Sequence, residues 1–303
     1  MHADFATLGN ISIDDLVFVD GSTKWCVPGG NAVYSGLGMA VWDERPAIIA
    51  PIGPEYPVAD LGGRIDLSNC RQLLRNLRNW GLYEEDGSRH FIFRTATGNW
   101  HEFSPTLSDL DGFTCGNALL APMPWTVQIE LAERLRHDGT TLIGVDTDDR
   151  HLREVDRPTL KRLLDLLDLF LPSKQDAEAM VPGKSPPDAL RVLREMAPEL
   201  PVIAIKCGDK GVIMHAAGQA DYLEIPTVAK TVVDATGAGD AFSGGTLVGL
   251  ARTGKPLDAV LWGSVSASFA VAGLGPTALV GATKHEAQCR LDHLRTQVDA
   301  HRL

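Results

Sequence analysis

The chain has 303 residues, 44% of them hydrophobic, and a formal net charge of -11. This length and apolar content can fill one large α/β domain, with or without a small accessory element. The acidic balance and the lack of any basic block argue against nucleic acid or an anionic membrane as a partner. An anionic ligand would therefore need a local binding site.

The cysteines and the N-terminus indicate the compartment. The five cysteines are odd in number and widely spread, and no CxxC pair occurs. This pattern is typical of reduced thiols and not of a disulfide framework. The N-terminal stretch MHADFATLGN has no basic segment, and no apolar run approaches the ~18 residues of a membrane span. We therefore expect a soluble, cytoplasmic protein.

Short apolar runs that end in turn residues recur along the chain and predict buried strands of a parallel sheet. In chain order they are FATLG, AIIAPIG, ALLAPMP, TLIGVD, LFLPS and VIAIKCG. Helical patterns such as VQIELAERLRHDG and PDALRVLREMA lie between them. Strands that alternate with helices predict a doubly wound α/β sheet.

Residues 79–103, NWGLYEEDGSRHFIFRTATGNWHEF, interrupt this alternation. The pair Asp86-Gly87 is a turn signal with strand-forming residues on both sides. We predict an antiparallel hairpin here, inserted as a small lid. Because hairpins can pair between subunits and so bury their edges, we also expect a homodimer formed through this lid.

The segment VVDATGAGDAFSGG, residues 232–245, combines glycines, two aspartates and the start of a helical pattern. Glycines let backbone N–H groups converge at a helix N-terminus, which favours an anion. Asp240 beside such a site would repel the anion unless it has another task. Accepting a proton from a hydroxyl that attacks a phosphoryl group is such a task. The alternative is a plain N-cap, for which Asp is a favoured residue.

Two nucleotide-binding motifs are incomplete. GKS at 183–185 ends like a P-loop, but Glu178 stands where the first glycine is required. GAG at 237–239 begins a dinucleotide fingerprint, but its last position is Phe242. Neither motif therefore predicts a nucleotide site of its own type.

The segment DATGAGDAFSGG closely resembles the C-terminal signature of the ribokinase-like, or PfkB-type, carbohydrate kinases. Further landmarks of that family follow the expected order: GNISIDDL (a first strand and substrate-binding turn), PGGNAVYSGLG, the hairpin at 79–103, LFLPSKQDAE and VIAIKCGDKGV. The resemblance covers nearly the whole chain. It implies one ribokinase-like domain over residues 1–303: a doubly wound, mostly parallel sheet flanked by helices, with a small antiparallel β lid.

The resemblance also implies roles for the residues that match the family motifs. Asp240 would be the catalytic base. The backbone anion hole would comprise Gly237, Ala238 and Gly239. The acceptor site would contain Asp14, with Asp15 as the alternative, and Gly29, Gly30 and Asn31. The nucleotide side would contain Ser173, Lys206, Gly208, Gly211 and Ser264.

The implied metal positions depart from the family pattern. P-N-x-x-E becomes Pro172-Ser173-x-x-Asp176, so that the acid which organises Mg²⁺ through water is one methylene shorter, with Glu178 as a substitute. Asp234 falls where some members help hold a monovalent cation such as K⁺. Tyr34 replaces the usual substrate-side Asn, and IGPEYP replaces G-D-D after the second strand.

The implied function is ATP-dependent transfer of a phosphoryl group to a hydroxyl of a small sugar, polyol or nucleoside, with Mg²⁺. A non-catalytic ligand-binding or sensor protein on the same fold is the alternative, motivated by the Ser173 and Asp176 departures. A dehydrogenase is a third hypothesis, which the incomplete fingerprint disfavours.

Overall fold

The computed structural model of the chain describes residues 1–85, 89–94, 100–152, 155–229 and 231–301. The strands are β1 (His2–Leu8), β2 (Ser12–Val17), β3 (Thr23–Gly29), β4 (Ala47–Ile49), β5 (Pro51–Ile52), β6 (Arg71–Gln72), β7 (Leu77–Tyr83), β8 (Arg89–Phe93), β9 (Thr114–Leu120), β10 (Leu142–Val145), β11 (Leu169–Phe170), β12 (Val202–Lys206), β13 (Val212–Ala216) and β14 (Leu223–Ile225). The helices are α1 (Asn31–Ala40), α2 (Trp125–His137), α3 (Asp149–Leu152), α4 (Arg157–Leu164), α5 (Lys174–Met180), α6 (Pro186–Met196), α7 (Ala238–Thr253), α8 (Pro256–Ala270), α9 (Thr277–Val280) and α10 (Lys284–His301).

The main sheet has the order β14-β13-β12-β11-β10-β9-β1-β4. Six of its strands, β12-β11-β10-β9-β1-β4 in sheet order, pair in parallel. The remaining two, β13 and β14, form an antiparallel edge. The predicted fold class, a doubly wound and mostly parallel sheet, is confirmed. One predicted strand is split: AIIAPIG forms β4 in the main sheet and β5, which pairs with β6 in a separate ribbon.

Side chains that alternate along each strand build two cores. In β12, Val202 and Ala204 join the core under α1, α7, α8 and α10, whereas Ile203 and Ile205 join the core under α2, α4, α5 and α6. The sheet is therefore the middle of three layers. Such sheets bind ligands beyond the carboxyl ends of their strands.

A second sheet, which we call the small sheet, has the order β3-β2-β7-β8. The predicted hairpin corresponds to β7 and β8, which pair antiparallel, whereas its predicted turn at Asp86-Gly87 lies outside the described residues. The predicted hairpin range was too long, because Trp100–Phe103 forms a single 3-10 turn. The sheet is also larger than predicted, because β2 and β3 belong to it.

This larger sheet corrects the prediction for Asp14, which was expected in a turn after the first strand. Asp14 lies within β2, between β3 and β7. The sequence of β2, SIDDLV, has two adjacent aspartates and no period-two alternation of apolar residues, so the strand was not recognised from the sequence. In the described part of the chain, no helix combines the length and apolarity needed to cross a bilayer.

Candidate active site

The site is built around the first turn of α7. Gly237 caps this helix with φ 73°, in the left-handed region that favours glycine, and a Cβ there would lie 2.1 Å from Tyr34 Cδ1. Asp240 is the third residue of the helix and not its cap, so the plain N-cap interpretation is wrong. The first intrahelical bond runs from Ala241 N to Gly237 O (2.9 Å). The preceding N–H groups are those that a helix leaves without intrahelical partners.

The predicted anion hole can be refined from these bonds. Ala238 N already donates to Ala235 O, although over 3.4 Å. Among the described residues, no backbone carbonyl accepts from Gly239 N or Asp240 N. The N–H groups that are best placed to bind an anion are therefore those of Gly239 and Asp240.

Two cavities meet at this turn. The small-sheet cavity, of about 240 Å³, is lined by Asn10, Ser12, Asp14, Gly30, Asn31, Tyr34, Leu77, Asn79, Phe91, Phe93, Arg150, Thr236, Gly237 and Asp240. The loop cavity, of about 110 Å³, is lined by Lys206, Gly208, Gly211, Val212, Pro226, Thr227, Ala238, Gly239, Phe242, Ser264 and Ala267. Most residues that were predicted for the acceptor and for the nucleotide thus line separate cavities, with Asp240 facing the first, whereas Gly29 and Ser173 line neither.

Asp14 is the buried carboxylate of the small-sheet cavity. Asn79 Nδ2 donates to its Oδ1 over 2.8 Å, and Ser12 Oγ donates to the same oxygen over 3.1 Å. Burial raises the pKa of Asp14 to about 6, against the lowering effect of these two hydrogen bonds. Only one oxygen is engaged by these donors, so the other is available for a hydroxyl of a bound molecule.

Asp15, the alternative to Asp14, has a different set of contacts. Its carboxylate accepts hydrogen bonds from Arg78, Arg94 and the backbone N–H of Cys26. These donors hold its pKa below the usual range despite burial. Because Asp15 ties the strands of the small sheet together and does not line either cavity, the geometry favours Asp14 as the ligand-binding residue.

The other acceptor-side residues mainly shape the cavity. A Cβ on Gly29 would lie 2.1 Å from Asp14 Oδ2, so only glycine lets β3 pass this close to the carboxylate. Asn31 accepts from Asn10 N (2.7 Å) and donates to Pro122 O (2.6 Å) and Asn10 Oδ1 (3.3 Å). Its amide is thus occupied in positioning the start of α1.

Asp146, which the sequence analysis missed, is a buried carboxylate beside the site. It follows β10 and is buried; Lys206 Nζ lies 2.5 Å from its Oδ1, and Ser243 Oγ donates to its Oδ2 over 2.8 Å. Lys206 is therefore held beside the start of α7, where a Cβ on Gly239 would lie 3.2 Å from Nζ. Asp146 is the last residue of the predicted strand TLIGVD, and this position was the available signal, since strand ends of this kind form binding sites.

The electrostatics of Asp240 follow from these neighbours. Burial and the negative charges of Asp146 and Asp148 raise its pKa well above that of an ordinary aspartate, and Lys206 acts in the opposite direction. In the described part of the chain, no hydrogen bond to the Asp240 carboxylate is formed by another side chain. The group is therefore a carboxylate with raised proton affinity, open to a molecule in the small-sheet cavity.

The predicted metal residues near β11 have clear local roles. Ser173 and Asp176 form a capping box at the start of α5: Ser173 Oγ accepts from Asp176 N (3.1 Å), and Asp176 Oδ2 accepts from Ser173 N (2.7 Å). Asp176 is buried, and burial raises its pKa to about 6 although Lys206 lowers it. A contact between Asp176 and Mg²⁺ would have to run through water, a mode of binding that this ion tolerates. Glu178 is exposed and accepts from Gly183 N (2.9 Å), which favours Asp176.

Two other predicted residues lie outside the cavities. Ser173 does not line the loop cavity, unlike Lys206, Gly208, Gly211 and Ser264. Asp234 is buried, and its carboxylate accepts hydrogen bonds from Tyr83 and Arg89 of the small sheet and from Thr236. Within the described residues, no three His, Cys, Asp or Glu side chains form a cluster that could hold a metal ion.

The chain is similar to known kinases over most of its length. The model of the pfkB family carbohydrate kinases matches residues 82–281. The chain is 27% identical to a cytidine kinase of Thermococcus kodakarensis over 84% of this chain and 91% of that protein, and 26% identical to a fructokinase of Escherichia coli over 85% and 88%. The solved structure of a Methanocaldococcus jannaschii nucleoside kinase, an archaeal member of the ribokinase family, superposes with a TM-score of 0.72 at 17% identity, covering 96% of this chain and 98% of that chain.

Proposed function

The chain belongs to the pfkB family of carbohydrate kinases, and from this premise we propose that it transfers the γ-phosphoryl group of ATP to a hydroxyl of a nucleoside. As a member of this family it is a phosphotransferase that acts on a hydroxyl group of a sugar or nucleoside. The observation that carries the finer proposal is the position of Asp240 at the junction of the two cavities. The non-catalytic alternative rests on the Ser173 and Asp176 departures, and the intact helix start with its carboxylate argues against it.

In the proposed reaction, ATP occupies the loop cavity and the acceptor occupies the small-sheet cavity. Asp14 holds an acceptor hydroxyl, and Asp240 removes the proton of the attacking hydroxyl. The N–H groups of Gly239 and Asp240 bind the transferring phosphoryl group, and Lys206 balances its charge. Phosphoryl transfer needs mainly positioning and charge neutralisation, which this arrangement supplies. Mg²⁺, when bound through Asp176 and water, would neutralise charge on the ATP phosphates.

Two phenylalanines favour a nucleoside over a simple sugar. Phe91 and Phe93 are two residues apart in β8 and so face the same side of the small sheet, where both line the cavity. Their rings remain 40% and 39% exposed, and Gly81 opposite Phe91 leaves room for the ring. A flat base can stack on such rings while Asp14 and Asn79 bind ribose hydroxyls. The similarity to a cytidine kinase supports this choice, and the similarity to a fructokinase keeps hexoses as the competing acceptors.

The proposal is tested by ADP release with a panel of acceptors: cytidine, uridine, adenosine, guanosine, ribose and fructose. We expect the highest kcat/KM for a nucleoside, with formation of its phosphate ester verified by mass spectrometry. Asp240→Asn serves as the inactive control. A higher kcat/KM for fructose or ribose than for every nucleoside would overturn the choice of acceptor, and ADP release without any phosphorylated acceptor would overturn the proposed transfer.

A further inference from the structure

The small sheet and the loop before α7 are joined by one ionic contact. Arg89 Nη1 lies 3.0 Å from Asp234 Oδ1 and donates to Thr236 Oγ1 over 2.9 Å. Asp234 is almost fully buried, with its side chain 2% exposed. A carboxylate removed from water in this way needs a compensating charge, and Arg89 supplies it.

The Asp234 carboxylate is largely occupied by hydrogen-bond donors of the protein. Its Oδ1 accepts from Arg89, from Thr236 N (2.9 Å) and from Thr236 Oγ1 (2.7 Å), and its Oδ2 accepts from Tyr83 Oη (2.8 Å). An ionised carboxylate offers about two lone-pair sites on each oxygen, so the three donors saturate Oδ1 and Tyr83 takes one of the two sites on Oδ2. A cation beside the guanidinium group would also be repelled. The residues at this position therefore do not fit a monovalent cation.

We propose that Arg89 is a built-in cation for the loop 234–237, so that this protein works without a monovalent metal ion. Arg89 and Tyr83 pair directly across β8 and β7, so the end of the small sheet is docked on the loop. That loop leads into Gly237, the cap of α7, and so sets the orientation of the N–H groups and of Asp240. Arg89 is thus a positioning residue that balances Asp234 close to the place where the phosphoryl charge develops.

The inference depends on the proposed phosphoryl transfer only for its kinetic measurement. Wild-type turnover should be equal in potassium chloride and in tetramethylammonium chloride of the same ionic strength. In Arg89→Ala, two lone-pair sites of the loop are vacated, one on Asp234 and one on Thr236. We expect kcat to fall about ten- to hundredfold, less than a direct donor to the transition state costs. Potassium should restore part of the loss, whereas Arg89→Lys should keep most of the wild-type kcat without potassium.

Arg94→Ala is the matched control, because Arg94 is another arginine of the small-sheet region that pairs with a buried aspartate, Asp15, and among the described residues it forms no hydrogen bond or ion pair with the loop. The turnover of Arg94→Ala should be equal in potassium chloride and in tetramethylammonium chloride. The melting temperature gives a second readout that needs no acceptor: potassium should raise it in Arg89→Ala and leave it unchanged in the wild type. Potassium activation or stabilisation of the wild type, or an Arg89→Ala variant that shows no response to potassium, would overturn the proposal.

Discussion

Lys206 and Asp146 form a buried ion pair beside the first turn of α7, with Lys206 Nζ 2.5 Å from Asp146 Oδ1. Both charges act on Asp240, whose pKa rises through burial first and then through Asp146, whereas Lys206 lowers it. Since solvent screens buried charges only weakly, the pair sets both the proton affinity of the proposed base and the charge that meets a phosphoryl group. Its two members come from different strands of the main sheet.

Asp146→Asn should lower turnover and move the acidic limb of the pH profile towards lower pH. Lys206 loses its partner, and the pKa of Asp240 falls because one neighbouring negative charge is gone. Asp240 acts as a base only when ionised, so a lower pKa extends activity into more acidic solution. The check is kcat/KM between about pH 5 and 9.

Asp165→Asn provides the control for this change, because Asp165 forms an exposed pair with Lys161. Its pH profile should match that of the wild type. An acidic limb that does not move in Asp146→Asn would contradict the coupling between Asp146 and Asp240.

Asp240→Asn should reduce kcat by ~10²–10⁴, the usual contribution of a general base. The amide has nearly the same size but cannot accept the proton. Nucleotide affinity, measured by calorimetry, should change little because Asp240 faces the small-sheet cavity. In the wild type, activity should be lost as the pH falls through the raised pKa of Asp240, above the ordinary aspartate value of about 4. A variant that keeps more than about a tenth of the wild-type rate would rule out the role of base.

Asp14→Asn should weaken acceptor binding. Its free energy of unfolding should also increase relative to that of the wild type as the pH rises. The pKa of Asp14 is raised to about 6 in the folded protein, mainly by burial. The wild type therefore loses stability as the pH rises from the unfolded to the folded pKa, and the amide does not. The difference in unfolding free energy between variant and wild type should change by up to about 3 kcal/mol over this window. Urea unfolding of both forms at several pH values measures it, and a pH-independent difference would contradict the buried carboxylate.

Phe91→Ala and Phe93→Ala should each raise the KM for a nucleoside about five- to hundredfold, since stacking of an aromatic ring on a base contributes ~1–3 kcal/mol. The KM for ribose, which has no base, should change less. Ile92→Ala is the matched control, because Ile92 lies between them in β8 and does not line the cavity. Equal losses for nucleoside and ribose would place the base elsewhere.

Ser173→Asn with Asp176→Glu should lower the Mg²⁺ concentration that gives the half-maximal rate. Both replacements keep the capping box in principle, because Asn is a good N-cap and Glu is usual at the third position. The longer carboxylate would reach the water shell of the ion more closely. A Mg²⁺ titration at saturating ATP and acceptor gives the answer, and a melting curve verifies that the buried site still packs. An unchanged requirement would show that Asp176 does not limit the use of the metal.

Much of this protein was predictable because its signals are local in the chain. Apolar runs with turn residues identified the six parallel strands of the main sheet but not its antiparallel edge, β13 and β14, and TGAGD identified the start of α7. In a helix start, N–H groups and a carboxylate that are neighbours in sequence are also neighbours in space. The assignment of residues to an acceptor region and a nucleotide region came from the family resemblance, and most of these residues line the two cavities.

The partners of the charged residues were decided only by the tertiary structure. Adjacent aspartates in β2 face different surroundings, so that Asp14 lines a cavity and Asp15 binds two arginines. Lys206 meets Asp146, 60 residues away, and Arg89 meets Asp234, 145 residues away. Which carboxylate binds a ligand and which binds an arginine depends on the strand order and on the docking of the small sheet. Local periodicity carries no information on either, because it records which face of an element is apolar and not which element lies opposite.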